Sequence, residues 1–487
     1  MQQLSGQDAM FIHSELDGLP QHITGVNVYD QSTVPSGENV RFKDILSMLD
    51  NRVHLSPIFR RKLVEVPKNL GQPYWVEDAD FDIEHHVRHI ALPKPGDWRQ
   101  LCILVSRLHS QPLRRDKPVW EIYVIEGLNN VAHLPPNCFA VLTKIHHAAM
   151  DGATGAQFTG CVHDLTPETK VFTPTDKWRP ESASVPKMLT SAYLDAWKKP
   201  GEFYRFAREA VPAFSRLRKG LKNQDFQTLD SKQKTRFQGK LSRHRVVESL
   251  KFDFETVRAI KNTVPGATIN DVMLCIIAGG LHTYLDSKGE TPASTLVAGC
   301  PIDVRSPEEK ASGGNMVGMM NVALCSNVAE PVDRLRAIQN ASTEAKAYAQ
   351  ALGPRMMLDI SDLLPGGVLS VALRAAAATG LTEATVVQNT FVTNVPGPAV
   401  QFYFCGALQV DSMSFGPLMP NVGLFHVVYS AVQNKTGTIS ISITACRDML
   451  PDPAYYVDCL QQSFKQLNDA ALSVGKRSST KQTKGAK

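Results

Sequence analysis

The run K-I-H-H-A-A-M-D-G-A-T-G, Lys144 to Gly155, decides how the chain is read. Upstream of it, C-F-A-V-L-T-K-I-H-H from Cys138 is short, apolar and rich in β-branched and aromatic residues, which makes it a buried strand. V-W-E-I-Y-V-I-E-G-L, Val119 to Leu128, reads the same way. After His147 the side chains shrink and the longer ones recur at helical intervals, so a helix begins near Asp151. The pair His146-His147 therefore closes a strand and faces a turn into a helix, where side chains are held rigidly yet reach a cleft.

Three readings of the pair compete. Zinc sites space histidines so that both reach one ion, whereas adjacent residues on an extended chain point to opposite faces, so a shared metal is disfavoured. The same pleat leaves one imidazole toward a cleft and one toward the interior. A neutral imidazole, with an ordinary pKa of ~6.5, can take a proton from a hydroxyl and return it. Asp151, four residues beyond His147, can hold the local geometry by a hydrogen bond or an ion pair, and Gly152 permits close backbone approach. A bare H-H is usually incidental: His85-His86 in F-D-I-E-H-H-V-R-H has no Asp-Gly after it.

At 487 residues the chain exceeds a single hydrophobic core, and 43% apolar with 20% charged residues marks a folded globular protein. Nine cysteines without a C-x-x-C pair, several inside apolar runs (Cys138, Cys275), point to a reducing, cytoplasmic setting. M-Q-Q-L-S-G-Q-D carries no secretory pattern, and the most apolar stretch, Gly366 to Leu381, is short and broken by Arg374. A soluble or peripheral protein is expected.

The basic charge is concentrated in two places. Lys187 to Lys222 holds nine Lys/Arg against three Asp/Glu, and Lys476 to Lys487 adds five without an acid. In the first, Phe203, Phe206, Ala210, Phe214, Leu217 and Leu221 fall on one helical face, so this basic amphipathic helix either lies on an anionic lipid surface or docks on its own domain. It sits in a polar, Pro-bearing stretch that reads as a crossover. The expected organisation is an N-terminal domain over 1–165, a crossover over 166–245, a C-terminal domain over 246–470 and a disordered basic tail over 471–487. No aromatic single-strand platform or helix-turn-helix accompanies the basic stretches, so nucleic acid is not an expected partner.

H-H-A-A-M-D-G resembles the H-H-x-x-x-D-G signature of the superfamily that includes chloramphenicol acetyltransferase, carnitine acyltransferases and peptide-synthetase condensation domains. Further stretches are similar to bacterial wax ester synthase/diacylglycerol acyltransferases, in that family's order: L-S-G-Q-D-A-M-F near the N-terminus, K-P-V-W (Lys117–Trp120), T-I-N-D-V (Thr268–Val272), P-I-D-V-R (Pro301–Arg305), T-N-V-P-G-P (Thr393–Pro398) and G-P-L-M-P-N-V-G-L-F-H-V-V-Y-S-A-V from Gly416. Val119 replaces the family's usual Leu, and Phe237–Arg245 matches an N-G-rich family stretch only loosely. The resemblance runs over roughly residues 4 to 460.

That resemblance implies an α/β fold of two chloramphenicol-acetyltransferase-like domains with mixed sheets, joined by a helical crossover, with an active-site tunnel at their interface. It implies an O-acyltransferase that moves a fatty acyl group from acyl-CoA to a long-chain alcohol, giving a wax ester, or to diacylglycerol, giving triacylglycerol. His147 would be the general base and His146 its neighbour. No metal and no cofactor beyond the co-substrate acyl-CoA is implied, because a thiolate leaves readily and direct transfer needs only a base and an oxyanion donor. Asn270, or backbone N–H groups near it, is the expected donor; by propensity alone Asn270 or Asp271 is a helix cap. Asn394, Pro396 and Gly397 read as a turn with a structural role, Trp120 as core, Lys117 as solvated, and Asp151 is expected to pair with Arg305. Phe404, Met413, Phe415, Leu418 and Met419 are apolar candidates for a tunnel lining, though ordinary core is the simpler assignment. Peripheral contact with a membrane or lipid inclusion fits the basic helix. The rivals are a condensation-type enzyme acting on a carrier-bound thioester and a noncatalytic acyl-lipid-binding protein.

Overall fold

The computed structural model describes residues 1–67, 71–150, 152–173, 184–194, 201, 208, 233–303, 317–352, 375, 387–397, 399–433 and 436–484. Two six-stranded mixed sheets organise it. The first runs, in spatial order, Tyr403–Phe404, Ala407–Phe415, His22–Asp30, Cys138–His146, Trp120–Leu128, Val87–Ala91, antiparallel except for its last pair. The second runs Val317–Ala323, Val297–Asp303, Thr390–Pro396, Leu424–Gln433, Thr436–Cys446, Arg245–Asp253, with parallel pairing only around Thr390–Pro396. Helices complete an α/β architecture of two halves, as the resemblance implied.

Cys138–His146 lies inside the first sheet, paired on both sides and buried along almost all of its length. A strand apolar on both faces can only sit in such a central position without exposing one of them. The two expected strands of this half are thus present, ending within a residue of where the sequence placed them.

Sheet membership does not follow chain position. Tyr403–Phe404 and Ala407–Phe415, inside the expected 246–470 domain, extend the first sheet at its His22–Asp30 edge. A register irregularity between Gln409 and Asp411 accompanies an inward carboxylate: Asp411 is fully buried, 2.7 Å from Lys251 Nζ and 3.3 Å from His133 Nε2. Burial alone would raise its pKa, but His133 and Lys251 outweigh this and lower it. Lys251 and His133, from opposite halves, so fasten this strand in place.

In the second half, the helix Ile269–Ser287 is buried nearly throughout, packed against Pro453–Lys484 and Pro331–Leu352. Gly280 permits this contact, since a Cβ there would lie 2.5 Å from Leu460 Cδ2 and 3.2 Å from Leu460 Cα. The helix cap is Thr268 rather than Asn270 or Asp271: Thr268 accepts from the Asp271 N–H, and Asp271 accepts from the Thr268 N–H at 2.8 Å. This reciprocal box satisfies two orphan donors at once, which a lone Asn or Asp cap does not.

Three other expectations are corrected. The helix Pro453–Lys484 runs through most of the segment expected to be a disordered tail; once anchored by Tyr456, Leu460, Leu467 and Ala471, a proline-free run propagates at one bond per residue. Asn394–Pro396, expected as a turn, completes a strand paired in parallel with Val428–Ser430, and the chain leaves it only at Gly397. There a Cβ would lie 2.0 Å from the Ser430 carbonyl, so only glycine fits. Lys117 is not simply solvated: its Nζ donates to the Asp80 carbonyl at 3.2 Å and lies 3.7 Å from Asp78. The helix expected over Phe203–Leu221 lies outside the described residues.

The packing of the first half includes a buried ion pair. Arg52 Nη2 donates to Asp164 at 2.7 Å and to the Lys170 carbonyl at 3.0 Å, with both charged side chains almost wholly buried. Replacing Asp164 by leucine leaves the guanidinium charge in the interior uncompensated. The expected cost is about 3–5 kcal/mol, read as a lower denaturant midpoint; a loss under about 1 kcal/mol, the range of surface pairs, would refute it.

Candidate active site

The strand Cys138–His146 delivers His146 as its last residue, opposite His22 in the antiparallel register. A 3-10 turn, His147–Ala149, follows, and the helix Gly152–Val162 begins at the glycine of the motif. The His146 N–H donates to the Val119 carbonyl at 3.0 Å and the His147 N–H to the Gln21 carbonyl at 2.9 Å. Both histidines are thereby fixed through the backbone before their rings are considered.

The rings part where the strand ends, since His147 already belongs to the turn. His146 is buried, and its Nδ1 accepts from the Ala148 N–H at 3.1 Å, so the ring caps the turn that carries its neighbour. His147 remains partly exposed and stacks on Phe11 at 3.9 Å between ring centroids and 13° between planes. Burial pushes the His147 pKa down to about 4, against a hydrogen bond to its own backbone that favours the charged form. At neutral pH it is an uncharged, partly exposed base.

Phe11 comes from the helix Gly6–Ser14, inside the L-S-G-Q-D-A-M-F stretch. Just beyond it, Glu15 places one carboxylate oxygen 3.8 Å from His146 Nε2 and 3.0 Å from Arg115 Nε, while the other accepts from the Gln21 N–H at 3.2 Å. Burial would raise the Glu15 pKa, but His146 and Arg115 hold it at about 2. Phe11, Glu15 and Arg115 escaped the sequence reading. They stand more than 100 residues from or on a different element than the motif, and no spacing rule joins them; the N-terminal stretch was the one signal that pointed their way.

A second constellation forms in the other half. Asn270, in the first turn of Ile269–Ser287, accepts from Asn394 Nδ2 at 3.3 Å, which brings the N-D and N-V-P-G-P elements together. With Asn270 Oδ1 engaged, its amide N–H groups remain as donors beside the helix N-terminus. Asp271 is committed to the cap. Asp151 and Arg305 lie outside the described residues, and so does their expected pairing; Gly152 is described only as the first residue of its helix.

The remaining candidates are packing. Trp120 is buried with its Nε1–H on the Phe59 carbonyl at 3.0 Å. His86 stacks on Trp120 and donates from Nδ1 to its carbonyl at 2.8 Å, a core histidine with no role in the motif. Phe404, Met413, Phe415 and Leu418 are buried in core clusters, with Met419 packed against one of them. Among the described residues no cluster of three or more His, Cys, Asp or Glu is arranged to hold a metal ion, and no helix is long and apolar enough to cross a membrane.

Residues 4–273 match the wax ester synthase/diacylglycerol acyltransferase catalytic domain, and residues 313–468 match the C-terminal domain of the same group. A Mycobacterium tuberculosis protein provisionally named a diacylglycerol O-acyltransferase is 32% identical over 473 residues, covering 96% of this chain and 90% of that one. In fold, the chain is similar to the wax ester synthase/diacylglycerol acyltransferase of Marinobacter aquaeolei VT8, with a TM-score of 0.66 and 23% identity over 97% of this chain and all of that one. It is also similar to the first condensation domain of the CDA synthetase, with a TM-score of 0.56 and 13% identity over 96% of both chains.

Proposed function

The chain belongs to the wax ester synthase/diacylglycerol acyltransferase family and is an acyltransferase, and from that premise we propose that it moves a fatty acyl group from acyl-CoA to the hydroxyl of a long-chain alcohol or a diacylglycerol, with His147 as general base. The observation that carries this reading is the partly open, uncharged His147 at the end of a central strand, presented by a turn that His146 caps.

The chemistry follows from these groups. His147 takes the proton of the acceptor hydroxyl as its oxygen attacks the thioester carbonyl carbon. The carbonyl oxygen becomes negative in the tetrahedral intermediate, and Asn270 with the helix N-terminus supports it. The C–S bond then breaks, the ester is released, and the CoA sulfur leaves with the proton returned by His147. Asp151, Gly152 and Arg305 are assigned to the loop that presents the base, and Asn394, Pro396 and Gly397 to the strand end that positions Asn270. Both acceptors partition into lipid, so the enzyme meets them at a membrane or lipid-inclusion surface from the cytoplasmic side.

The test is release of free thiol from palmitoyl-CoA by the full chain with hexadecanol, a diacylglycerol, a primary amine or water as acceptor. Hydroxyl-dependent release supports the assignment and ranks its acceptors; release only with the amine supports a condensation-type reaction, and none at all a lipid-binding protein. The pH dependence is a second check. Because the His147 pKa is near 4, kcat/KM at pH 6.5 stays close to its value at pH 8; a base of ordinary pKa, ~6.5, would be half-protonated there, and a half-maximal rate would show that burial does not lower the pKa of the base.

A further inference from the structure

We infer that Glu15 and Arg115 form, with His146, a positioning relay that fixes the imidazole tautomer of His146 and through it the turn presenting His147. The inference deepens the acyltransferase reading above and rests on it for its kinetic consequence.

His146 Nδ1 accepts from the Ala148 N–H, so it carries no proton, and the ring N–H must stand on Nε2. Nε2 is buried and has no hydrogen-bond partner within normal range; the Glu15 carboxylate is 3.8 Å away. That carboxylate cannot turn away. One oxygen is held by the Gln21 N–H, the other by Arg115, which also donates to the Ile12 carbonyl at 3.1 Å at the end of the helix that supplies Phe11. The negative charge facing Nε2 favours the tautomer protonated there and disfavours the alternative, in which a ring N–H on Nδ1 would meet the Ala148 N–H and open the turn. Ala148 directly follows His147, so an opened turn moves the base itself. The same clamp joins both supports of the His147 ring: Arg115 ties the Phe11 helix, and Glu15 ties the His146 cap. None of these groups touches the reacting atoms; they act through His146.

The relay is tested by kinetics together with the 15N spectrum of histidine-labelled full-length protein, the His146 signals being assigned by their loss in His146→Asn. The wild type is expected to show His146 protonated on Nε2. Glu15→Gln, which keeps the shape and removes the charge, is expected to lower kcat for thiol release about 10- to 100-fold with KM for palmitoyl-CoA unchanged, the size expected for a base displaced by a fraction of an ångström to one ångström, and to mix the His146 tautomers. Should Glu15→Gln not fold, Arg115→Lys is measured in its place, with a smaller fall in kcat expected. A wild-type His146 protonated on Nδ1 overturns the relay, as does an unchanged kcat in the variant, or a fall in kcat with the His146 tautomer unaltered. A wild type without acceptor-dependent thiol release defeats the acyl-transfer reading instead, and the tautomer spectrum still decides the relay.

Discussion

Replacing His147 by alanine lowers hydroxyl-dependent thiol release by about 10²- to 10⁴-fold, the range for a positioned general base. The acceptor hydroxyl has no other route for its proton within the turn: His146 Nδ1 is occupied by the Ala148 N–H, and its Nε2 faces the Glu15 carboxylate in the interior. The loss falls on kcat, because removing an imidazole leaves the apolar contacts that hold the chains. Binding of palmitoyl-CoA by the variant therefore stays near that of the wild type, which separates lost chemistry from lost folding. His85→Ala is the control, since that residue belongs to the other H-H, in the short helix Ile83–His86. Turnover by His147→Ala within tenfold of the wild type would remove it from the role of base.

Much of this site was legible in the sequence because it is local. A strand, a turn and a helix start follow from 28 consecutive residues, Cys138 to Leu165, with His146 buried at the strand's last position and His147 partly exposed in the turn. The two six-stranded sheets were legible only as a class. Nothing in Ala407–Phe415 shows that it pairs with His22–Asp30 rather than with its sequence neighbours, because alternating burial is the same on either sheet. The caps and turns failed for a related reason. Pro-Gly reads as a bend wherever it occurs, while the strand before it is set by its neighbour Leu424–Gln433. Glu15, Phe11 and Arg115 are ordinary residues in sequence, and tertiary contact alone gives them their place.

The fold is expected to lose stability steeply between pH 7 and pH 5, in the range where few carboxylates titrate. Besides His147, five histidines are buried and lowered by burial: His86 and His163 to about 4, His109 and His426 to about 3, and His22 well below its ordinary value, with Lys144 adding to the effect on His22 and His109. Each is held by hydrogen bonds that suit a neutral ring, such as His426 between Thr390 and Tyr456 and His163 against Tyr29. In the unfolded chain they protonate near pH ~6.5. A folded pKa below the unfolded one means that the full stability is present above ~6.5 and drains away as pH falls toward the folded values, because the unfolded state binds more protons. Between pH 7 and 5 each such group withdraws on the order of 1–2 kcal/mol, and the five together on the order of 5–10, comparable to the whole stability of a typical domain, about 5–15 kcal/mol. Glu15, at about 2, stays ionised throughout this window, and its contribution is lost only below ~4.5. Glu248, raised by burial, acts in the opposite sense, but it is one group against five. Urea midpoints at pH 7, 6 and 5 measure the effect. His86→Phe, which keeps an aromatic ring stacked on Trp120 and removes one proton site, is expected to be less stable at pH 7 through the lost bond to the Trp120 carbonyl, yet to lose less on going to pH 5. A wild-type midpoint that does not move across this range would mean that these rings find room for a proton in the folded state, contrary to their burial.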